Sequence, residues 1–310
     1  MSWIFLTISA QLINAVVAIL DKYLVTDEKA IPRPFVYALY TCLATAAWAF
    51  IYLIAFIPGA SALGIPSLEN IFFPSLTVIS LALLSAVAFF IAIYTLYKAL
   101  RAGGAADVMP VVGATSAVSS FLFAWLFLQA SYSGHFIIGI LLLVAGTLLV
   151  SRLHFSVHTF LTALGSGAFF ALHYLIMKGL FMETSFDDGF FWSRLALVVV
   201  ALACLVFPST FKTVTKQTSS VSHKTGWLVI INKVLAGVAA FMILKATDWG
   251  DVAVVQALDG LKFVFILLIS IPLSDFLPLA AREQNLDFKS NLRRILYVFI
   301  ICIGLAVLFI

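Results

Sequence analysis

Residues 98–113 read KALRAGGAADVMPVVG, and residues 245–260 read KATDWGDVAVVQALDG. Aligned end to end, both stretches begin with Lys-Ala, carry glycine at the sixth position and end with glycine. Each therefore describes a helix that ends in Lys-Ala, a tight glycine turn, and a second helix with a glycine about two turns in. A repeat with this spacing divides the chain into two halves, near 1–153 and 154–310.

The chain as a whole is too apolar for a soluble protein. Of its 310 residues, 63% are hydrophobic and 10% are charged, whereas soluble domains carry about 25% charged residues. So few charges cannot cover a water-facing surface, which predicts that the solvent is lipid. The net charge is +4, but no basic run lies on a soluble face, so a nucleic-acid partner is not predicted.

Ten apolar runs along the chain are long enough to cross a bilayer. A spanning helix needs about 20 mostly apolar residues, and helix is expected because lipid offers no partner to a free backbone amide. The first run lacks the basic region and cleavage site of a signal peptide, so we predict a retained span. We also predict a loop at 208–226 and a short interfacial helix at 275–293. The predicted spans are 3–21, 35–57, 74–98, 105–128, 134–151, 159–178, 188–208, 226–247, 252–273 and 294–310.

Five spans in each half place the two halves in opposite orientations, because an odd number of crossings reverses the side of entry. Lys22 and Lys178 support this pairing, since each closes an apolar run that contains a polar residue. The predicted fold class is an all-α polytopic membrane protein with ten transmembrane helices arranged as two inverted five-helix repeats. This architecture is typical of secondary transporters that hold their solute near the middle of the bilayer.

The segment 97–118, YKALRAGGAADVMPVVGATSAV, resembles the third-to-fourth helix segment of the drug/metabolite transporter superfamily, in its EamA-domain branch. The Gly139 and Gly146 pattern of the fifth span is also similar. The resemblance covers nearly the whole chain as two consecutive EamA-like domains, and it implies a ten-helix permease that exports a metabolite. One departure is Gln129, which stands where the fourth span of this family commonly ends in glutamate. The loop before the tenth span is also longer than usual.

The orientation of the chain has two interpretations. Basic residues are concentrated in the loops after odd-numbered spans, which predicts that those loops are cytoplasmic and that both termini are outside. The family resemblance implies cytoplasmic termini instead.

The ninth predicted span carries three polar side chains at intervals of three residues. An ionisable group at membrane depth is a functional candidate because burying it in lipid is unfavourable. Gln256, Asp259 and Lys262 share one helix face, which we expect to meet a central cavity. Lys262 would contact an anionic group, and Asp259 would hold a cationic group or exchange a proton. The alternative is a neutral Asp–Lys pair that ties helices together.

Three further candidates for the substrate site lie in spans seven and eight. Lys233 and Asn232 would line the same cavity, but a lysine there could equally extend its stem to the interface. Arg194, in the first turns of span seven, has the same two interpretations.

The remaining candidates lie in spans one and six. His173 is either a proton relay or a hydrogen-bonded core histidine. Gln11 and Asn14 share a face of span one and would bind solute or a neighbouring helix. Small residues four apart in span six would allow close helix packing: Ala163, Gly167 and Ala171.

These features predict a secondary active transporter that works by alternating access on a small polar metabolite. No ATP-binding motif is present, so a coupling proton or an exchanged solute would supply the driving force. Arg194, Lys233 and Lys262 against Asp259 make the cavity positive, which favours an anionic or zwitterionic solute such as an amino acid or organic acid. No metal, cofactor or catalytic residue is assigned. We expect a multi-pass protein of the plasma or inner membrane, as a monomer or homodimer.

Two other classes of protein remain as alternatives. A membrane-embedded enzyme acting on lipid would need a catalytic constellation, and His154 with His158 is the nearest approach, with no carboxylate beside it. A non-transporting membrane scaffold would not need charges inside its spans.

Overall fold

The computed structural model describes residues 2–26, 30–31, 33–57, 64–150 and 156–270, together with residues 300, 303, 304 and 307. Within these residues the regular elements are helical, and no β-strand occurs. Short 3₁₀ segments occur at Thr45–Phe50, Leu68–Asn70 and Leu258–Gly260. The α-helices are α1 (Ser2–Thr26), α2 (Pro34–Ala44), α3 (Ile51–Ile54), α4 (Leu76–Ala102), α5 (Ala105–Phe127), α6 (Gly134–Val150), α7 (Val157–Glu183), α8 (Phe186–Leu205), α9 (Pro208–Ser220), α10 (His223–Trp249), α11 (Val252–Ala257) and α12 (Leu261–Ser270).

Seven helical segments of the described residues are long and apolar enough to cross a bilayer. Large apolar side chains such as Phe5, Leu76 and Trp125 are exposed on the outside of these helices. Lipid can cover such a surface and water cannot. The chain is therefore an integral membrane protein of the all-α polytopic class. The seven segments are Trp3–Thr26, Pro34–Ile54, Leu76–Ala102, Asp107–Phe127, Val157–Glu183, Phe186–Leu205 and His223–Trp249.

Three other predicted spans differ from these seven. The fifth, α6, is an apolar helix of 17 residues. The ninth is helical from Val252 to Ser270, but the 3₁₀ segment Leu258–Gly260 replaces α-helix between α11 and α12. The tenth, 294–310, lies outside the described residues except for four positions, and so does the whole interfacial helix predicted at 275–293.

The loop predicted at 208–226 does connect two spans, but it is not irregular throughout, because Pro208–Ser220 forms α9. Proline starts the helix well because its fixed φ suits the first turn and its missing N–H is not needed there. Threonine and lysine make the helix polar, so it does not span the bilayer. Tyr40 Oη on α2 lies 2.5 Å from Thr218 Oγ1, which connects α9 to the bundle.

Helices α4 and α10 have matching lengths and matching ends. Each has 27 residues, and each begins after a serine whose hydroxyl accepts a hydrogen bond from the third residue on. Each ends at a glycine, Gly103 or Gly250, whose N–H donates to an alanine carbonyl at 2.8 Å. The next helix, α5 or α11, begins two residues after that glycine. The sequence repeat is thus accompanied by a repeat of helix bounds and capping.

A lysine from another helix also donates hydrogen bonds to the carbonyls at the C-terminus of each of these two helices. Lys22 Nζ on α1 donates to the carbonyls of Leu100 and Gly103 at 2.6 and 2.7 Å. Lys178 Nζ on α7 donates to three carbonyls at the end of α10, including that of Gly250 at 3.1 Å. A cation at a helix C-terminus satisfies carbonyls that have no partner within the helix and complements the helix dipole.

Close packing between α5 and α7 depends on Gly167. A Cβ at this position would overlap the Val112 carbonyl oxygen and lie 2.7 Å from Thr115 Cβ. Ala163 and Ala171, on the same face of α7, are fully buried. Small residues let two membrane helices approach until their backbones touch.

We therefore expect Gly167→Ala to lower the free energy of unfolding of the purified chain by about 1–3 kcal/mol, which is the usual cost of overpacking a tight contact. The melting temperature should fall accordingly. The contact is with backbone, which cannot rotate out of the way. The matched control is Gly165→Ala on the same helix, where a Cβ would have no neighbour within 4 Å. Equal melting temperatures of the two variants in detergent would contradict the assigned packing.

Candidate functional site

A cavity of about 140 Å³ lies at the middle of the helix bundle. The midpoints of α1, α4, α5, α7 and α10 all line it, which places it halfway along the long helices. These midpoint residues are Asn14, Phe89, Ser116, Phe170 and Ala236. Helices from both halves of the sequence pack around it, because α1 packs on α10 and α7 packs on α4 and α5.

The 3₁₀ segment between α11 and α12 brings an ion pair to this cavity. Lys262 Nζ donates to both carboxylate oxygens of Asp259, at 2.9 and 2.8 Å. Gln256 lines the cavity beside them and accepts a hydrogen bond from Ser116 Oγ at 2.9 Å. The prediction that these three residues share a face is confirmed, although the backbone at Asp259 is 3₁₀ rather than α-helical. Side chains three apart are eclipsed in a 3₁₀ turn, which suits the short contact.

The start of α11 is fixed by Asp251. Its Oδ1 atom accepts from the backbone N–H groups of Ala253 and Val254 at 2.7 and 3.2 Å. Tyr132, in the connection before α6, donates to the same carboxylate at 3.3 Å. Burial, with the nearby carboxylate, raises the pKa of the Tyr132 hydroxyl, so it stays protonated and can donate. These bonds hold the short helix that carries Gln256 toward the cavity.

A second ion pair, Asp21–Lys233, lies at another side of the cavity. Asp21 Oδ1 accepts from Tyr37 Oη and Asn232 Nδ2, both at 2.6 Å, and from Lys233 Nζ at 3.2 Å. Lys233 also lies over the Tyr37 ring at 3.8 Å and within 3.1 Å of Tyr97 Oη. Lys233 is thus buried and paired, and it does not extend to the interface.

Asp21 was not among the residues predicted from the sequence. Asp21 is the last residue of the first predicted span, 3–21, and it was regarded as the start of the charged connection that follows. In the structure α1 continues to Thr26. The spacing contained a usable indication, because Asn14 and Asp21 are two helical turns apart and both line the cavity.

Five predicted site residues do not line this cavity. Lys233 and Arg194 border a smaller neighbouring cavity, and the other three border neither. Gln11 is buried behind the central cavity and accepts from Asn14 Nδ2 at 3.4 Å. Asn232 is buried and supports Asp21. His173 Nδ1 lies 2.8 Å from Ser85 Oγ, and its ring packs on Phe89. This placement fits the hydrogen-bonded core histidine better than a proton relay.

Arg194 lines the smaller neighbouring cavity, which has a volume of about 50 Å³. Four residues border both cavities: Thr41, Phe89, Ala236 and Ala240. The guanidinium is buried among apolar side chains, with its Cζ 5.3 Å from the centre of the Phe190 ring. Arg194 therefore faces the interior of the bundle and does not extend to the interface.

The two cavities together carry a net charge of +1. Arg194, Lys233 and Lys262 supply three positive charges, and Asp21 and Asp259 supply two negative ones. In the sequence-based prediction the same three cations were set against Asp259 alone, because Asp21 was omitted. Among the described residues, no three His, Cys, Asp or Glu side chains converge as metal ligands.

Comparison with known proteins identifies the fold only. No family model matches the sequence, and no curated protein matches it. A solved structure, described only as "Crystal structure of protein", aligns with 99% of this chain and 96% of its own, with a TM-score of 0.67 and 15% sequence identity. At that identity the likeness shows a shared fold.

Proposed function

We propose that the chain is a secondary active transporter that moves a small polar metabolite by alternating access. In this proposal it is an EamA-type member of the drug/metabolite transporter superfamily and acts as an exporter in the plasma or inner membrane. Substrate and coupling sites of such carriers typically lie near the bilayer midplane, on helices that are interrupted there.

One observation carries the proposal: a cavity at the midpoints of five long helices contains an ion pair beside a 3₁₀ turn. Charged groups inside a membrane protein are unfavourable for folding, and they persist where a solute or ion must be handled. The 3₁₀ segment at Asp259 tightens the helix beside the pair, while the backbone N–H groups of Leu258 and Leu261 stay hydrogen-bonded. A bundle needed only for packing would not require this arrangement.

The proposal includes ten helices in two inverted five-helix halves, 1–153 and 154–310. The matched bounds of α4 and α10 support a repeat, and so do the equivalent contacts of Lys22 and Lys178. In alternating access the two halves would rock about the cavity. The driving force would be a proton gradient, with Asp259 as the proton acceptor, or the counter-movement of a second solute.

The solute proposed is small and anionic or zwitterionic, such as an organic acid or amino acid. The net positive charge of the two cavities supports an anionic group, and their volumes are below the roughly 300–1,000 Å³ of drug-sized pockets. The proposed assembly is a monomer or homodimer, and each chain would contain a complete cavity.

The proposal is tested by reconstituting the purified chain into liposomes loaded with unlabelled amino acids or organic acids. A labelled form of the same solute is added outside at two pH values. We expect at least one solute to accumulate transiently and saturably, above the level in protein-free liposomes. Failure of every solute with a folded, monodisperse chain would contradict the proposal. Chemical conversion of the liposome lipid, seen by mass spectrometry, would favour the membrane-embedded enzyme instead.

A matched pair of variants connects the measured flux to the cavity. Ala236→Phe places a ring at a position that borders both cavities, and it should lower the flux several-fold. Val238→Phe adds the same ring two residues along α10, where the side chain is exposed. It should leave the flux unchanged. Equal flux through the two variants would show that solute does not pass through this cavity.

A further inference from the structure

The Arg194 guanidinium is a buried cation without a counter-ion among the described residues. Arg194 is 8% exposed, and its Nη2 atom has no hydrogen-bond partner. Its Nε atom reaches the Ser193 hydroxyl at 3.4 Å, a long contact. A buried charge without a counter-ion is unfavourable, and so is a buried donor without an acceptor. The position is therefore suited to an anion that comes from outside the chain.

The acidic side chains of the central cavity and of α8 have partners of their own. Asp21 is paired with Lys233, and Asp259 with Lys262. On α8 itself, Asp187 accepts from Ser67 N and Asn70 Nδ2 at 3.1 and 2.7 Å. The neighbouring Asp188 accepts from Phe72 N and Thr184 Oγ1 at 2.9 and 2.6 Å. No described carboxylate forms an ion pair with Arg194.

Aromatic rings form the walls around the guanidinium. Trp48 stacks on Phe241 with ring centroids 6.3 Å apart and planes 4° apart, and Phe190 completes the wall. Gly237 makes room for this arrangement, because a Cβ there would overlap the Trp48 indole ring. An apolar wall strengthens the electrostatic attraction of the cation for an anion, since little water is present to screen it.

We infer that Arg194 binds the carboxylate of a small organic monoacid, whose apolar body extends past Ala236 and Ala240 into the central cavity. The inference rests on the proposed transport function and specifies the solute that the carrier would take. A guanidinium presents a planar fork of donors that matches the two oxygens of a carboxylate. The free Nη2 atom provides one of these donors.

Charge balance distinguishes a monoanion from other solutes. One negative charge neutralises the net +1 of the two cavities, whereas a phosphate dianion would leave an excess of negative charge. A zwitterion would bring an ammonium group, for which the cavities offer no unpaired carboxylate. An ammonium probe and a zwitterionic probe are therefore informative controls.

The test measures binding by the purified full-length chain in detergent, by equilibrium dialysis with labelled probes. The probes are 3-phenylpropionate, its neutral isostere 3-phenylpropionamide, the cation 2-phenylethylammonium and the zwitterion L-phenylalanine. The variants are Arg194→Gln and Arg194→Lys. Lys212→Gln is the matched control, because it removes one positive charge from an exposed position on α9.

We expect the wild-type chain to bind 3-phenylpropionate at least about tenfold more tightly than the amide, as a charge-assisted hydrogen bond predicts. Arg194→Gln should remove that preference, Arg194→Lys should retain part of it, and Lys212→Gln should leave it intact. The ammonium and zwitterionic probes should bind more weakly than the carboxylate.

The inference is overturned if the carboxylate binds no better than the amide, or if Arg194→Gln keeps the preference. Binding and transport separate the two proposals. If the wild-type chain binds the carboxylate through Arg194 but transports no solute, the transport function is contradicted and the carboxylate site at Arg194 is supported. If the chain transports only cations or neutral solutes, the transport function is supported and the carboxylate site at Arg194 is contradicted.

A second variant keeps the test decisive if Arg194→Gln does not fold. Gly237→Ala displaces the Trp48 ring without removing the guanidinium, so it should weaken binding of 3-phenylpropionate severalfold while the carboxylate is still preferred over the amide. Its control is Gly226→Ala on the same helix, where a Cβ has no neighbour within 4 Å. Identical affinities in these two variants would overturn the placement of the probe beside Trp48.

Discussion

Lys262→Ala is expected to reduce carrier flux by at least about tenfold while the chain still folds and inserts. The lysine is one of the two charged groups of the ion pair beside the 3₁₀ segment, and it lines the cavity directly. Its loss leaves Asp259 without its ion-pair partner and changes the net charge of the two cavities from +1 to zero. An anionic solute would then lose its attraction to Lys262 and be repelled by the unpaired carboxylate of Asp259. A charge-assisted hydrogen bond is worth about 1.5–3 kcal/mol, which corresponds to roughly a tenfold loss or more.

The chain offers a close control for this variant. Lys245 and Asp248 form another lysine–aspartate pair three residues apart, at the end of α10 and away from both cavities. Lys245→Ala should therefore leave flux near the wild-type value. Both variants are compared in counterflow, using the solute that the wild-type chain carries best. If Lys262→Ala transports at the wild-type rate, the assignment of the ninth predicted span to the substrate site is contradicted.

Asp259→Asn examines the other member of the same pair. If Asp259 carries the coupling proton, this variant should retain solute exchange and lose uptake driven by a pH gradient. The amide cannot take up the proton, but it can still accept a hydrogen bond from Lys262. Equal loss of the two activities would instead indicate that the pair has a structural role.

Much of the fold could be predicted from the sequence because lipid permits few alternatives. Long apolar runs must be helical there, so α1, α4, α7 and α10 follow from hydropathy alone. The shared Lys-Ala and glycine pattern also predicted where α4 and α10 end. By contrast, the 3₁₀ segment Leu258–Gly260 lies inside a run that was predicted as one continuous span despite its polar residues. Its backbone is set by packing against neighbouring helices, and a single-sequence pattern does not contain that information.

The candidate site was predictable where charge stands inside an apolar run. Asp259 and Lys262 were found in this way, because their burial needs an explanation. Asp21 was missed because charged residues follow it in the sequence, and helix and loop are hard to separate at such a boundary. The partners of a buried charge also depend on the tertiary fold. The sequence alone could not show that Lys233 has a carboxylate partner and that Arg194 has none among the described residues.

Asp21→Asn is expected to destabilise the chain by about 3–5 kcal/mol, the usual cost of removing one partner from a buried ion pair. Asp21 is 6% exposed and accepts hydrogen bonds from Tyr37, Asn232 and Lys233 through one oxygen. An amide supplies no negative charge, so Lys233 would be left as a buried cation against aromatic rings. The effect is measured as the loss of thermal stability of the purified chain in detergent.

Two comparisons decide whether the charge itself causes the loss. Asp248→Asn removes a carboxylate from the more exposed Lys245–Asp248 pair, whose atoms are 3.9 Å apart, and should cost at most about 1 kcal/mol. Asp21→Asn combined with Lys233→Met should recover part of the stability, because no unpaired cation remains and the methionine keeps an apolar stem beside Tyr37 and Tyr97. Two results would show that the charge of the Asp21–Lys233 pair does not hold α1 to α10. One is an equal melting temperature for Asp21→Asn and Asp248→Asn, and the other is a double variant that is no more stable than Asp21→Asn alone.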